Sequence, residues 1–102
     1  MIGIYKIKTG GKNYIGASEN IEESFNRHKR NAYFSRSAFY KSLKKDLILN
    51  TAQFDIITIC KKEELDDLEE YYILKYDSYF NGWNRTLGRK YNVALKNKER
   101  RW

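Results

Sequence analysis

The sequence predicts an α/β (α+β) domain: a small three-stranded, mainly antiparallel sheet flanked by helices, in the order β-β-α-α-β-α. Three observations predict it. Gly10-Gly11 divides two short segments rich in Ile and Tyr, three later stretches repeat apolar residues at helical spacing, and Phe54 to Cys60 is a β-rich apolar run. At 102 residues with no proline, no internal repeat and no low-complexity stretch, the chain reads as a single domain with one modest core. Residues 1–84 carry the patterned elements, and 85–102 read as a basic C-terminal extension of the same domain.

The elements follow in order. Gly-Gly suits a two-residue hairpin loop, because both central positions can take positive φ. With Gly10 and Gly11 as the loop, Thr9 opposes Lys12, Ile7 opposes Tyr14 and Tyr5 opposes Gly16. Tyr5, Ile7, Tyr14 and Gly16 then share one face, the two phenols are diagonal neighbours, and Gly16 leaves space beside the Tyr5 ring. Ser18 or Asn20 can cap a first helix running to about Ala32, with Glu22 and Glu23 in its first turn. Ser35 or Ser37 opens a second helix to about Leu49, in which Phe39, Leu43 and Leu47 repeat at helical spacing. Phe54 to Cys60 is apolar on both faces and reads as a central strand covered on both sides, with Cys60 as a buried strand residue. A third helix spans about Lys62 to Asp77. Asn81-Gly82 makes a turn, after which the segment through Asn84 reads as an edge strand or loop.

Charge narrows the partners. Twenty Lys plus Arg against thirteen Asp plus Glu leave +7, an excess that suits a polyanion, with nucleic acid the commonest and an anionic membrane surface the other choice. The basic residues do not form an apolar-backed interfacial helix, so the membrane surface has little support. No apolar run is long enough to span a bilayer, and Lys6 and Lys8 interrupt any signal-peptide pattern. A cytoplasmic, nucleoid-associated protein is expected, in the host cell if phage-encoded. Cys60 is the sole cysteine, so no disulfide or thiolate metal cluster can form within the chain.

Three features carry chemistry. The paired tyrosines Tyr5 and Tyr14 suit phosphodiester chemistry, or else an aromatic hairpin face packed into a core. On the third helix, Leu65, Leu68, Tyr72, Ile73 and Tyr76 form a stripe with Glu69 inside it. An ionised carboxylate on a packing face costs several kcal/mol, roughly, unless a cation or strong donors satisfy it. A divalent metal would do so; a lysine partner or an outlet to solvent at the edge of the stripe would too. On the first helix, Ile21, Phe25, His28 and Ala32 line one face, so the chain's one histidine is either a hydrogen-bonded core residue or a catalyst.

These residues fall within recognisable blocks. Gly3-Ile4-Tyr5 and Tyr14-Ile15-Gly16 stand in the hairpin, Phe25-Asn26-Arg27-His28 in the first helix, Leu68-Glu69-Glu70-Tyr71-Tyr72-Ile73 in the third, and Asn81-Gly82-Trp83-Asn84 near the end. In this order they resemble a GIY-YIG nuclease domain over nearly the whole chain. The resemblance implies a metal-dependent endonuclease hydrolysing one strand of double-stranded DNA per active site, of the small kind found in phage, mobile elements or bacterial repair and restriction systems. It implies that Glu69 binds Mg²⁺ (or Mn²⁺), that Asn84 helps shape the site, that one of Tyr5 and Tyr14 relays a proton from the attacking water, and that His28 lies near the phosphate. A tyrosine with an ordinary pKa of about 10 needs a nearby cation to act as a base at neutral pH.

One position breaks the pattern. Where the family has a phosphate-bracing arginine, one turn before His28, this chain has Ser24. Serine offers neither a bidentate fork nor a permanent charge, and losing such a donor typically costs roughly 10² to 10³ in rate. Three explanations fit: an inactivated variant of an active nuclease, a member in which Arg27 or Lys29 reaches across, or a catalytically silent DNA-binding or regulatory module. Arg27 lies about 60° round the helix from Ser24 and would have to bend back. The ordinary surroundings of Ser24 favour the first explanation.

The remaining cations are candidate phosphate contacts: Arg27, Lys29 and Arg30 on the first helix, Lys41, Lys44 and Lys45 on the second, and Arg85, Arg89, Lys90, Lys96, Lys98, Arg100 and Arg101 in the tail. No sequence-reading module is visible. One site cuts one strand, so a monomer would nick, and a double-strand break would need a DNA-induced dimer or two events.

Overall fold

A computed structural model of the chain describes residues 1–88. Strands β1 (Gly3–Thr9) and β2 (Lys12–Ser18) form the hairpin, helices α1 (Ile21–Asn31) and α2 (Ala38–Ile48) follow, and strand β3 (Gln53–Ile59) leads through a 3-10 turn at Lys62–Glu64 into α3 (Leu65–Lys75). The expected order of strands and helices is therefore present. Gly10 and Gly11 both take positive φ, 59° and 74°. Their turn sets the register Thr9 to Lys12, Ile7 to Tyr14 and Tyr5 to Gly16, as the two-residue loop dictates.

All strand pairs are antiparallel, in the order β2-β1-β3. This corrects the expectation for the Phe54 to Cys60 run: β3 is an edge strand among the described residues, and β1 is central. The run is apolar on both faces because each face still touches a helix layer at its inner side, yet Ile56 and Ile59 remain 41% and 54% exposed. A bulge between Ile4 and Tyr5 in the β1–β3 register inserts an extra residue into β3. Cys60 sits just past the strand and is half-buried rather than buried.

Side chains alternate across β1, so the central strand serves two cores. Tyr5 and Ile7 pack with Ile21, Ala32 and Leu43 under α1 and α2, with Tyr14, Phe25, Phe39 and Phe54 around them. Ile4 and Ile15 point the other way and pack with Leu65 and Ile73 of α3. The sheet thus lies between the α1/α2 layer and α3.

The helix starts are capped. Asn20 accepts from Glu23 N at 3.1 Å ahead of α1, and Ser37 from Tyr40 N at 3.3 Å ahead of α2. α3 begins at Leu65, later than the sequence suggests, because Lys62–Glu64 forms a tighter turn in which the Glu64 carboxylate accepts from Lys61 N at 3.0 Å. The segment through Asn84 forms bends and no strand. The hairpin tip is tied down from both sides: the Asp46 carboxylate of α2 accepts from the Thr9 hydroxyl and from Gly10 N, and Trp83 Nε1 donates to Thr9 O at 2.8 Å. Among the described residues, no helix is long and apolar enough to cross a membrane.

Candidate active site

β2 is the other edge strand of the sheet, and there the two layers meet. A pocket of about 450 Å³ opens at this edge, lined from the α1/α2 side by Tyr14, His28, Phe39 and Tyr40, and from the α3 side by Glu69 and Ile73. Asn84 and Arg85 close it from the segment after α3. Glu69 and Tyr14 therefore reach one space from opposite faces of the sheet, around its edge.

Each residue is placed by its element. On α3, Leu65, Glu69 and Ile73 are the buried positions, one turn apart, so Glu69 occupies the centre of the packed stripe at 9% exposure. Gly88 lies beside it, where an added Cβ would stand 3.4 Å from Glu69 Oε1. Asn84 runs alongside β2 and replaces a missing strand: its Oδ1 accepts from Ile15 N at 2.8 Å and its Nδ2 donates to Ile15 O at 2.9 Å. Both ends of its amide are thereby occupied in holding the edge.

A polar chain runs from the pocket wall into the core. Tyr5 Oη and His28 Nε2 are hydrogen-bonded at 2.7 Å, and His28 Nδ1 is bonded to Tyr40 Oη at 2.9 Å. The Tyr5 and Tyr14 rings are 6.3 Å apart at their centroids, and the Tyr14 and His28 rings 5.4 Å. Gly16 makes room for this cluster, because a Cβ there would overlap the Tyr5 ring. Burial pushes the His28 imidazole down to about 4, helped by the nearby Arg27 charge, so the ring is neutral at pH 7. Burial, then the Tyr14 phenol, pushes Tyr5 far above the ordinary phenol range. Tyr14 is also raised, by burial and then by the Glu69 carboxylate, whose charge opposes a phenolate.

Of the residues singled out in the sequence, Tyr14, His28, Glu69 and Asn84 line the pocket together with Arg85. Tyr5 is buried behind it and touches it through His28. Ser24 does not line it. The serine is 4% exposed and bonds to Ser18 Oγ at 2.6 Å, tying α1 to the end of β2. Arg27, Lys29 and Arg30 lie on the exposed face of α1, and the Lys29 ammonium sits 5.0 Å from the Phe54 ring centroid. Lys41, Lys44 and Lys45 rim a separate concavity on α2 with Ile48 and Leu49. Arg89, Lys90 and the later cations fall outside the described residues.

Solved structures share this fold. The catalytic domain of intron endonuclease I-TevI, in a mutant form, superposes with a TM-score of 0.70 at 23% identity, covering 86% of this chain and 96% of that one. The catalytic domain of homing endonuclease I-TevI gives 0.67 at 23% identity, over 84% of this chain and 99% of that one. The fold is that of a GIY-YIG domain. No protein-family model and no curated protein sequence matches the chain.

Within the GIY-YIG fold, three pocket residues are not legible as such from the sequence. Tyr40 looks like a stripe residue of α2, yet its hydroxyl meets His28. Trp83 looks like part of a turn, yet its indole bonds Thr9 and packs on Phe39 at 5.8 Å between centroids. Arg85 is one cation among many in a basic tail, and its adjacency to Asn84 is the one signal that sets it apart.

Proposed function

We propose that the chain is a divalent-metal-dependent DNA endonuclease that hydrolyses one strand of duplex DNA per active site. The observation that supports it most is a nearly buried carboxylate, Glu69, in the same pocket as a tyrosine, a neutral histidine and an asparagine, on a fold shared with endonuclease domains.

The residues suit Mg²⁺, with Mn²⁺ as a substitute. Mg²⁺ keeps several waters and is commonly held by one or two carboxylates plus substrate phosphate. Glu69 supplies one carboxylate, and among the described residues no group of three His, Cys, Asp or Glu forms a fuller cage. When bound, the ion supplies neutralisation of the phosphate and stabilisation of the leaving oxygen. In the phenolate form that a bound cation would favour, Tyr14, facing the pocket, would take a proton from the attacking water as the water oxygen bonds to phosphorus; the bond to the leaving oxygen breaks, and that oxygen takes a proton from solvent. His28 holds Tyr5 in place, and Asn84 holds the strand that carries Tyr14.

The missing arginine has a replacement in this reading. Arg85 is the one Lys or Arg among the described residues lining the pocket, and its guanidinium offers the fork that Ser24 cannot. The bond from Ser24 to Ser18 supports serine as the residue that junction is fitted to. The exposed cations of α1 and α2 then act as sequence-independent phosphate contacts, and a monomer nicks.

A second reading, a silent DNA-binding module, is favoured by one observation: position 24 faces Ser18 and not the pocket. A supercoiled-plasmid assay in Mg²⁺ and Mn²⁺ separates the two. Metal-dependent nicking by the chain, lost in Glu69→Ala with DNA affinity within a few-fold, is the expected result. Tight DNA binding with no nicking by the chain, or nicking undiminished in Glu69→Ala, would overturn it.

A further inference from the structure

The polar chain through His28 has a direction. A neutral imidazole donates from one nitrogen and accepts at the other, so its bonds to Tyr40 and Tyr5 run the same way. The two directions have opposite consequences for Tyr5. If His28 accepts at Nε2, the Tyr5 proton is held by the imidazole. If His28 donates from Nε2, Tyr5 accepts, and its own proton is left to turn toward Tyr14, whose ring centroid lies 6.3 Å from its own.

One observation selects the second direction. Asn31 Nδ2, an atom that can only donate, lies 3.4 Å from Tyr40 Oη. With its oxygen accepting from Asn31, Tyr40 has its own O–H left for His28 Nδ1 at 2.9 Å, which places the imidazole proton on Nε2, aimed at Tyr5 Oη at 2.7 Å.

We infer that Tyr40 and Asn31 are positioning residues: they fix His28 in its Nε2–H tautomer, so that Tyr5 accepts from the imidazole and keeps its own proton for the Tyr14 side of the cluster. Tyr40 and Asn31 act through His28 and touch no reacting atom in this role. The effect on rate rests on the nuclease reading above, whereas the tautomer does not depend on it.

His28 is the only histidine of the chain, so a long-range ¹H–¹⁵N correlation spectrum of the untagged full chain at neutral pH reads its tautomer without assignment. The expected spectrum shows Nε2–H in the wild type and a clear rise in Nδ1–H in Tyr40→Phe. Plasmid nicking by Tyr40→Phe should fall about 10- to 100-fold at unchanged DNA affinity, the size usual for partners that orient a functional histidine. An Nδ1–H wild type overturns the inference, and so does a Tyr40→Phe variant whose tautomer is unchanged. If Tyr40→Phe does not fold, the wild-type spectrum and Asn31→Ala, which removes the donor to Tyr40, decide the same point. A wild type that does not nick, yet shows the tautomer change, overturns the nuclease reading and leaves the direction of the chain standing.

Discussion

Asn84 grips Ile15 by both backbone groups, accepting from its N–H at 2.8 Å and donating to its carbonyl at 2.9 Å. The edge strand that carries Tyr14 is thus held by a side chain from residues far along the sequence. Asn84→Ala should leave two strand groups without partners at a half-buried edge, costing about 1 to 3 kcal/mol. Urea midpoints measure that loss. Nicking should fall further than stability explains, because Tyr14 loses its fixed position, and Asn84→Asp should restore only the half of the grip that accepts.

Gly16 is needed for a ring, not for a turn. Its missing Cβ is the space in which the Tyr5 ring lies, so Gly16→Ala must displace the ring or the strand. Overpacking of this kind costs about 1 to 3 kcal/mol. The displaced ring should also break the Tyr5 bond to His28. A crystal structure or the histidine spectrum of the variant would show that break; an unmoved Tyr5 would refute it.

His28 should make the protein sensitive to acid. Its folded pKa is lowered to about 4 from an ordinary 6.5, so between these values the unfolded chain binds a proton that the folded one excludes. Stability from this group is complete above about pH 6.5 and falls as pH drops toward 4, by up to about 3 kcal/mol. Denaturation curves from pH 7 to 4 should steepen this way in the wild type, and His28→Gln should flatten the difference.

Arg85 and Ser24 should trade places in function. Arg85→Ala should lower the nicking rate by about 10² to 10³ with little loss of DNA affinity, as expected for a donor aimed at transition-state charge. Arg27→Ala, on the exposed face of α1, should mainly weaken binding. Ser24→Arg should first destabilise the protein, since the site is 4% exposed and bonded to Ser18. It should rescue Arg85→Ala only if its fork bends out of that junction into the pocket. Single-turnover rates with measured affinities distinguish these outcomes.

Local rules make several of these features legible in the amino-acid order alone. Two glycines set a two-residue loop, and with period-two alternation this places Tyr5, Ile7, Tyr14 and Gly16 on one face in the observed register. Helical periodicity puts His28 and Glu69 on buried faces, and Asn20 and Ser37 are readable as caps. Each of these depends on neighbours a few residues apart.

Tertiary contacts decide the rest. Periodicity says that a face is covered but not by what, so it cannot tell a central strand from an edge, and β3 lies at an edge where its apolar run predicts the centre. Nor can it show that Glu69 meets Tyr14 around the sheet edge at β2, that Ser24 turns to Ser18, or that Tyr40 completes a chain through His28. Those relationships join elements remote in sequence, and they exist only once the sheet edge, the two helix layers and the segment after α3 are brought to the same place.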